Sequence, residues 1–296
     1  MLRSPLAGAV DCLSSVLFPA DCRVCGAPLS GFTILPVCVS CWNDLPPQSN
    51  SLCAGCGEAL PSDRGLRGES LCRPCRVQPP DFTKAVAHGI YRGTLRTLLH
   101  LLKYDRMEPL ARRLGALLAD QVLAVPDLPT EMVVVPVPLF SGKRRQRGFN
   151  QSELLARGGI AAMRRRRPGM TVRLAAGLLE RRRATQSQAG LTPHQRRVNV
   201  RGAFLVPHRA AVEGKNLLLV DDIYTTGATA RACSAALRRA GAASIWVATV
   251  ARAQKEFARQ PALLRPSEAA TAEVRMEEDF AYWGDSRTAP AGGPAR

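Results

Sequence analysis

Two apolar patterns alternate along the chain. Leu217-Leu218-Leu219-Val220 is a short continuous apolar run, as a strand buried on both faces of a parallel sheet requires. Met132 to Val137 and Ser244 to Ala251 read as further strands of this kind. Between them the apolar positions recur with the helical period, predicting helices over about Thr94 to Lys103 and Pro109 to Val122. A third helix follows the Leu217 run in ATARACSAALRR, with Gly241 placed to stop it. Pro126 to Pro129 punctuates the chain before the Met132 strand, and residues 76–90, containing Gln78-Pro79-Pro80, read as a connection. The segment from Ser141 reads as a basic loop followed by a helix, and MRRRRPG at Met163 to Gly169 as a solvated helix end and turn. Strands separated by helices predict an α/β domain built on a parallel sheet.

The first quarter of the chain is organised by cysteine instead. Nine of the ten cysteines precede residue 76, and eight form CxxC pairs: Cys22/Cys25, Cys38/Cys41, Cys53/Cys56 and Cys72/Cys75. Two-residue spacing turns both thiolates onto one ion, and two pairs complete a tetrahedron. Gly26 and Gly57 follow two of the pairs, where a knuckle calls for φ > 0. Pairing neighbours gives two structural four-cysteine zinc sites in tandem, with every metal position filled by protein. Interleaved pairing and an iron–sulfur cluster use the same residues. A disulfide framework needs an oxidising compartment that nothing in the sequence supports. Cys12 and Cys233 read as packed small apolar residues.

Charge is uneven. The 296 residues carry a net +17, and only five of the 41 basic residues are lysine. Residues 141–201 hold 16 Lys and Arg against two Glu, so most of the excess lies there, in a field that attracts nucleotides, pyrophosphate, nucleic acid or an acidic membrane surface. The same stretch offers one aromatic, Phe149, which speaks against a base-stacking groove. No stretch approaches the roughly 20 apolar residues of a membrane span. Residues 1–20 read as an amphipathic leader, and the expected compartment is the cytoplasm. Beyond residue 261 the chain turns to Ala, Pro, Gly and Glu, the composition of a disordered tail.

The chemistry concentrates in LLLVDDIYTTGAT, Leu217 to Thr229. Asp221 and Asp222 close the strand, and Thr225, Thr226, Gly227, Ala228 and Thr229 form a small hydroxyl-rich turn opening a helix. Such a turn presents unpaired N–H groups and the positive end of the helix dipole, which suit a phosphate. The acidic pair suits a ribose diol or a hydrated Mg²⁺. A phosphorylated sugar with a free diol fits both halves. The bland reading of the same residues is a capped helix beside a solvated Asp pair.

LLLVDDIYTTGAT resembles the thirteen-residue phosphoribosyl pyrophosphate (PRPP) motif of type I phosphoribosyltransferases, and VDDxYTTGAT the version in the competence protein F (ComF) branch. Tyr224 departs from the aliphatic residue usual elsewhere in the family. RGFNQ at Arg147 to Gln151 is close to another ComF signature, as is the pattern Arg183, Thr185, Gln188, Leu191, Arg196 and Asn199. The resemblance implies that Asp221 and Asp222 hold the ribose hydroxyls and Thr225 to Thr229 the 5′-phosphate. It also implies that Lys143, Arg144, Arg145 and Arg147 form a pyrophosphate loop and that Mg²⁺ enters with PRPP. Arg183 to Gln188 would cover the site. Lys103 and Tyr104 match a Lys-Tyr pair of the branch without a role that chemistry supplies; His100 and His194 are not expected to be catalysts.

The expected architecture is a double zinc ribbon over 21–78 and a phosphoribosyltransferase-like sheet with flanking helices over 84–255. The expected activity is phosphoribosyl transfer to a nitrogen nucleophile, serving nucleotide metabolism or DNA uptake. The alternative is a non-catalytic protein handling single-stranded DNA through its basic surface and ribbons. Family resemblance adds a competence helicase as a partner.

Overall fold

The computed structural model describes residues 21–29, 35–48, 51–61, 70–183 and 192–254. The expected leader and tail, Cys12, and the Thr185, Gln188 and Leu191 positions lie outside these residues.

Two short helices close the cysteine knuckles, α1 (Val39–Asn43) and α2 (Arg73–Val77). The chain then runs through β1 (Lys84–Ile90), α3 (Gly93–Lys103), α4 (Leu110–Leu123), β2 (Glu131–Pro136), α5 (Ser141–Arg147), α6 (Gln151–Arg166) and β3 (Thr171–Leu174). A two-stranded antiparallel piece, β4 (Glu180–Arg181) with β5 (Phe204–Leu205), brackets α7 (Pro193–Val200). The chain of described elements ends with β6 (Asn216–Tyr224), α8 (Ala228–Arg239) and β7 (Ser244–Arg252).

Five strands form one parallel sheet in the order β1-β7-β6-β2-β3. Strand β6 sits at its centre, which is why its apolar run is continuous. With the period of two along a strand, Leu218 and Val220 enter the core shared with α4 and α6, while Leu217 and Leu219 enter the core shared with α8. Right-handed crossovers then fix where a ligand can sit. The β2-to-β3 step moves towards one edge and the β6-to-β7 step towards the other, so α6 and α8 cover opposite faces. The chain therefore diverges between β6 and β2, and a crevice opens outside their carboxyl ends.

The two cysteine modules straddle edge strand β1. Cys22, Cys41 and Trp42 join the core on the α4/α6 face; Cys53, Cys56, Cys72 and Cys75 join the core on the α8 face. The edge itself is hydrogen-bonded: Ala85 N–H donates to the Gly55 carbonyl at 2.8 Å and Ile90 N–H to the Pro46 carbonyl at 3.1 Å. An otherwise open edge is thus covered by the module that precedes it.

Several sequence expectations need correction. Residues 84–90 form β1 rather than connection: KAVAHGI has little strand propensity of its own and acquires its ladder from Trp246 to Arg252 of β7, far along the chain. Ser141–Arg147 is a helix, not a loop, because its residues are mostly good helix formers and Gly148 ends it at φ 87°. The strand carrying Asp221 and Asp222 continues to Tyr224, and Ala228 and Thr229 belong to the first turn of α8. The arginine run ending α6 is more than solvated: Arg164 donates to the Val172 carbonyl, Arg166 to the Ala116 carbonyl and Arg167 to the Leu123 carbonyl. Arg166 also pairs with Asp120 at 2.6 Å, which staples α6 to α4. His194 lies within α7 rather than in a loop.

Candidate functional site

The cysteines resolve into two clusters of neighbours: Cys22, Cys25, Cys38 and Cys41, and Cys53, Cys56, Cys72 and Cys75, each with its sulfurs within 4.8 Å of one another. Interleaved pairing is thereby excluded. Four sulfurs at 2.3 Å from a tetrahedral zinc lie about 3.8 Å apart. Cys22–Cys41 at 3.8 Å, Cys25–Cys38 at 3.7 Å and Cys56–Cys72 at 3.6 Å meet that spacing. Such sulfurs enclose a single ion and leave no room for a cluster with sulfides of its own. Gly26 and Gly57 take φ 74° and 69°, as the knuckles require. Backbone amides support the sulfurs: Cys38 N–H donates to Cys22 Sγ at 3.3 Å and Cys72 N–H to Cys53 Sγ at 3.3 Å.

At the sheet crevice the acidic pair is held from three sides. Ser152, in the first turn of α6, donates its hydroxyl to Asp221 Oδ1 at 2.9 Å, and the Asp222 N–H donates to the same oxygen at 2.9 Å. Lys103 Nζ, at the end of α3, pairs with Asp222 Oδ2 at 2.7 Å. Burial alone would lower the Lys103 pKa, but the charge and hydrogen bond of Asp222, with the charges of Tyr91 and Asp221, together outweigh it and raise it, so the ammonium stays charged. Burial, then the neighbouring Asp222 charge, pushes Asp221 up to about 7 against the bonds from Asp222 and Ser152 and the charge of Lys103.

The RGFNQ signature supplies the other wall. Asn150 caps α6 by accepting from Ser152 N–H at 3.1 Å and donates Nδ2 to the Val137 carbonyl at 3.1 Å. It therefore ties the β2 end to the helix that aims Ser152 at Asp221. Arg147 donates to Gln151 Oε1 at 2.7 Å and lies over the Tyr104 ring, 5.5 Å from its centroid. The four basic residues on α5 do not act alike. Lys143, on the exposed side of the helix, is held below its usual range by partial desolvation and then by the charges of Arg181 and Arg147. Arg144 turns back towards Glu153 at 3.9 Å, and Arg145 is exposed. Arg181 is lowered by burial, against the charges of Cys233 and then Asp221, which act to raise it.

After Tyr224 the chain turns through Thr225 and Thr226 to Gly227, whose φ is 75°; a Cβ there would fall on the Tyr224 hydroxyl. Ala228 N–H donates to Thr226 Oγ1 at 3.4 Å, and the first turn of α8 opens beside the strand end. Arg183 donates to the Asn199 and Arg201 carbonyls at 2.9 and 3.1 Å and so joins β4 to the end of α7. Cys233 is fully buried and its thiol pushed up by that burial, as a packing residue should be.

The structure thus brings Asp221 and Asp222 together with Lys103 and Ser152, and sets Arg147 against Gln151 beside them; Lys143 and Arg181 are linked to this group through their charges. Lys103 was visible in the sequence as a helix-end lysine and as half of a Lys-Tyr pair to which chemistry assigned no role. Ser152 carried a faint signal, standing two residues after the Asn that caps its helix.

Residues 13–76 match the family model described as double zinc ribbon domain. DNA utilization protein YhgH of Salmonella typhi is 33% identical over 235 residues, covering 77% of this chain and 95% of the relative. Competence protein F of Haemophilus influenzae is 30% identical over 231 residues, 73% of this chain and 96% of its own. Competence protein ComFC of Bacillus subtilis is 26% identical over 224 residues, covering 73% and 84%. Among solved structures, glutamine PRPP amidotransferase from B. subtilis, complexed with ADP and GMP, overlaps 48% of this chain and 26% of its own at 26% identity and TM-score 0.30. A hypoxanthine phosphoribosyltransferase from Staphylococcus aureus overlaps 52% and 69% at 14% identity and TM-score 0.27. Among the described residues no helix is long and apolar enough to cross a membrane. With a relative 33% identical along nearly its whole length, another named competence protein F at 30%, and two four-cysteine clusters preceding a parallel α/β sheet, the chain belongs to the competence protein F (ComF) family.

Proposed function

We propose that the crevice between β6 and β2 binds PRPP, or a related phosphorylated ribose, with Mg²⁺ and transfers the phosphoribosyl group to a nitrogen nucleophile. One observation carries this reading. The paired carboxylates at the β6 end, held by Ser152 and Lys103, stand at the switch point where the α8 N-terminus opens, and the Lys143, Arg147 and Arg181 charges that act on one another support a cationic wall for it. The acidic pair would take the ribose hydroxyls, and the Thr225–Thr229 turn the 5′-phosphate. The α5 cations would face the pyrophosphate as it leaves C1. Bound Mg²⁺ would supply further neutralisation of that leaving group. Such a transfer is catalysis by positioning and electrostatics and asks for no protein nucleophile. Lys103 occupies Asp222 here, so a ligand diol must share or displace that ion pair.

Calorimetric titration of PRPP with Mg²⁺ tests the reading. Micromolar binding that disappears in an Asp221→Asn/Asp222→Asn variant is the expected result. Absence of heat with folded, zinc-loaded wild-type protein would refute it. Among the relatives' names, DNA utilization and competence favour a second reading, in which the basic surface handles single-stranded DNA. A mainly apolar groove of about 300 Å³ between α4 and α6, away from the crevice, includes Arg112, Arg113 and Arg165 in its lining. DNA binding with a steep salt dependence and no response to PRPP would support it.

A further inference from the structure

The second four-cysteine cluster does not stand apart from the crevice. Arg252, at the end of β7 and only 3% exposed, donates Nη1 to the Cys56 carbonyl at 2.6 Å and Nη2 to Cys56 Sγ at 3.6 Å. The same Nη2 pairs with Glu58 at 2.6 Å, and the guanidinium lies 4.2 Å from the centroid of the Tyr224 ring. Arg231, in the first turn of α8, donates Nη1 to the Gln78 carbonyl at 2.8 Å and Nη2 to Cys75 Sγ at 3.6 Å.

These two arginines stand at the two ends of one loop. Thr225 to Gly227 leaves the strand at Tyr224, whose ring rests on Arg252, and enters α8, which Arg231 fastens to the ribbon. Within the loop the Tyr224 hydroxyl lies against Gly227, and Arg231 N–H donates to the Gly227 carbonyl at 2.9 Å. Four thiolates around one Zn²⁺ leave a charge of about −2, which the two guanidinium groups offset in part, Arg252 being shared with Glu58. Thiols freed of metal offer those guanidiniums only weak acceptors. At the first cluster, by contrast, the hydrogen bonds to sulfur among the described residues include those from Cys38 and Cys41 N–H, within the ribbon itself.

We propose that Arg231 and Arg252 are positioning residues through which the metal-loaded second ribbon holds the Thr225–Gly227 loop in its anion-receiving conformation. The inference rests on the reading of that loop as a phosphate subsite. It makes Tyr224, the departure from the aliphatic residue expected there, the contact that transmits the metal site to the loop. Because coupling between two sites is reciprocal, bound ligand must also retain the metal of the second cluster, and only that metal.

The test uses the full chain loaded with two zinc ions, as wild type and as Arg231→Met, Arg252→Met and Arg252→Lys. Three readouts are taken: zinc release to a chromogenic chelator, hydrogen exchange of the amides from Thr225 to Arg231, and calorimetric titration of PRPP with Mg²⁺. Loss of a group supporting a metal ligand typically costs 10–100-fold in affinity. One of the two zinc ions should therefore leave about 10-fold faster or more in each Met variant, while the other keeps its wild-type rate. Loop exchange should quicken with it, PRPP affinity should fall about 10-fold, and Arg252→Lys should recover part of each change. PRPP added to wild type should slow release of one zinc. Unchanged zinc release in both Met variants overturns the proposal, whether or not loop exchange changes. Zinc release and loop exchange that respond, in a wild type that binds no PRPP, would retain the positioning role and refute the ligand reading alone. Arg231→Met, at a half-buried position, carries the test should Arg252→Met fail to fold.

Discussion

Replacing Lys103 by Met separates the electrostatics of the crevice from its packing. The Lys103 and Asp222 side chains are 15% and 8% exposed and meet at 2.7 Å. Met fills much of the same volume but leaves the Asp222 carboxylate without its cation. Breaking a buried pair from one side costs about 3–5 kcal/mol, because the remaining charge is neither solvated nor balanced. For a domain of this size each kcal/mol moves Tm by roughly 2–4 °C, so a fall of about 10 °C is expected at pH 8. The loss should be smaller at pH 5. Asp221, raised to about 7 by burial and by its neighbour, is then protonated and no longer adds its own charge to the uncompensated site. The double variant Lys103→Met/Asp222→Asn removes both charges and should be more stable than Lys103→Met alone. Thermal unfolding of the zinc-saturated proteins at both pH values provides the assay. A Lys103→Met loss below about 1 kcal/mol at pH 8, or one equal at the two pH values, would refute the buried, coupled character of the pair.

Four further outcomes are expected. Asp221 has a folded pKa above its ordinary value of 3.8, so the stability it contributes is full below that value and is lost as pH rises through about 7. Relative to Asp221→Asn, wild type should lose at most roughly 4 kcal/mol between pH 4 and pH 8, and PRPP with Mg²⁺ should bind better at pH 8 than at pH 6. Ser152→Ala removes a hydroxyl bond to a carboxylate; urea unfolding should show a loss of about 1–3 kcal/mol, and NMR titration a higher Asp221 pKa. Gly227→Ala, at φ 75° and against the Tyr224 hydroxyl, should cost about 1–3 kcal/mol and eliminate PRPP binding, while native mass spectrometry still finds two zinc ions. Cys38→Ser should reduce the zinc count from two to one without altering the loop exchange of Thr225 to Arg231, since that ligand belongs to the first cluster.

Much of the site could be read from local sequence because its chemistry is local. The CxxC spacing specifies knuckles whatever surrounds them, and Gly26 and Gly57 are demanded by the knuckle itself. Strand, acidic pair, turn and helix from Leu217 to Arg239 form one uninterrupted unit, so its order was legible before its surroundings were. The helices at Gly93–Lys103 and Leu110–Leu123 declared themselves by period for the same reason. Where propensity was weak and the partner distant, as in β1, the reading failed, because KAVAHGI becomes a strand only when β7 supplies its hydrogen bonds.

What the tertiary structure alone decided is which distant groups act on the acidic pair and which hold the loop. Lys103 meets Asp222 across a sequence gap that no periodicity reports, and Ser152 reaches Asp221 because the Asn150 cap fixes the first turn of α6. Likewise the second cysteine cluster meets the crevice only because the ribbons pack on either side of the β1 edge, placing Cys56 and Cys75 beside Arg252 and Arg231. The sequence determined the chemical groups and their local geometry, since backbone sterics and ligand spacing act over a few residues. The fold determined their charge states and their coupling, since burial and Coulomb interaction depend on distance in space and not on separation along the chain.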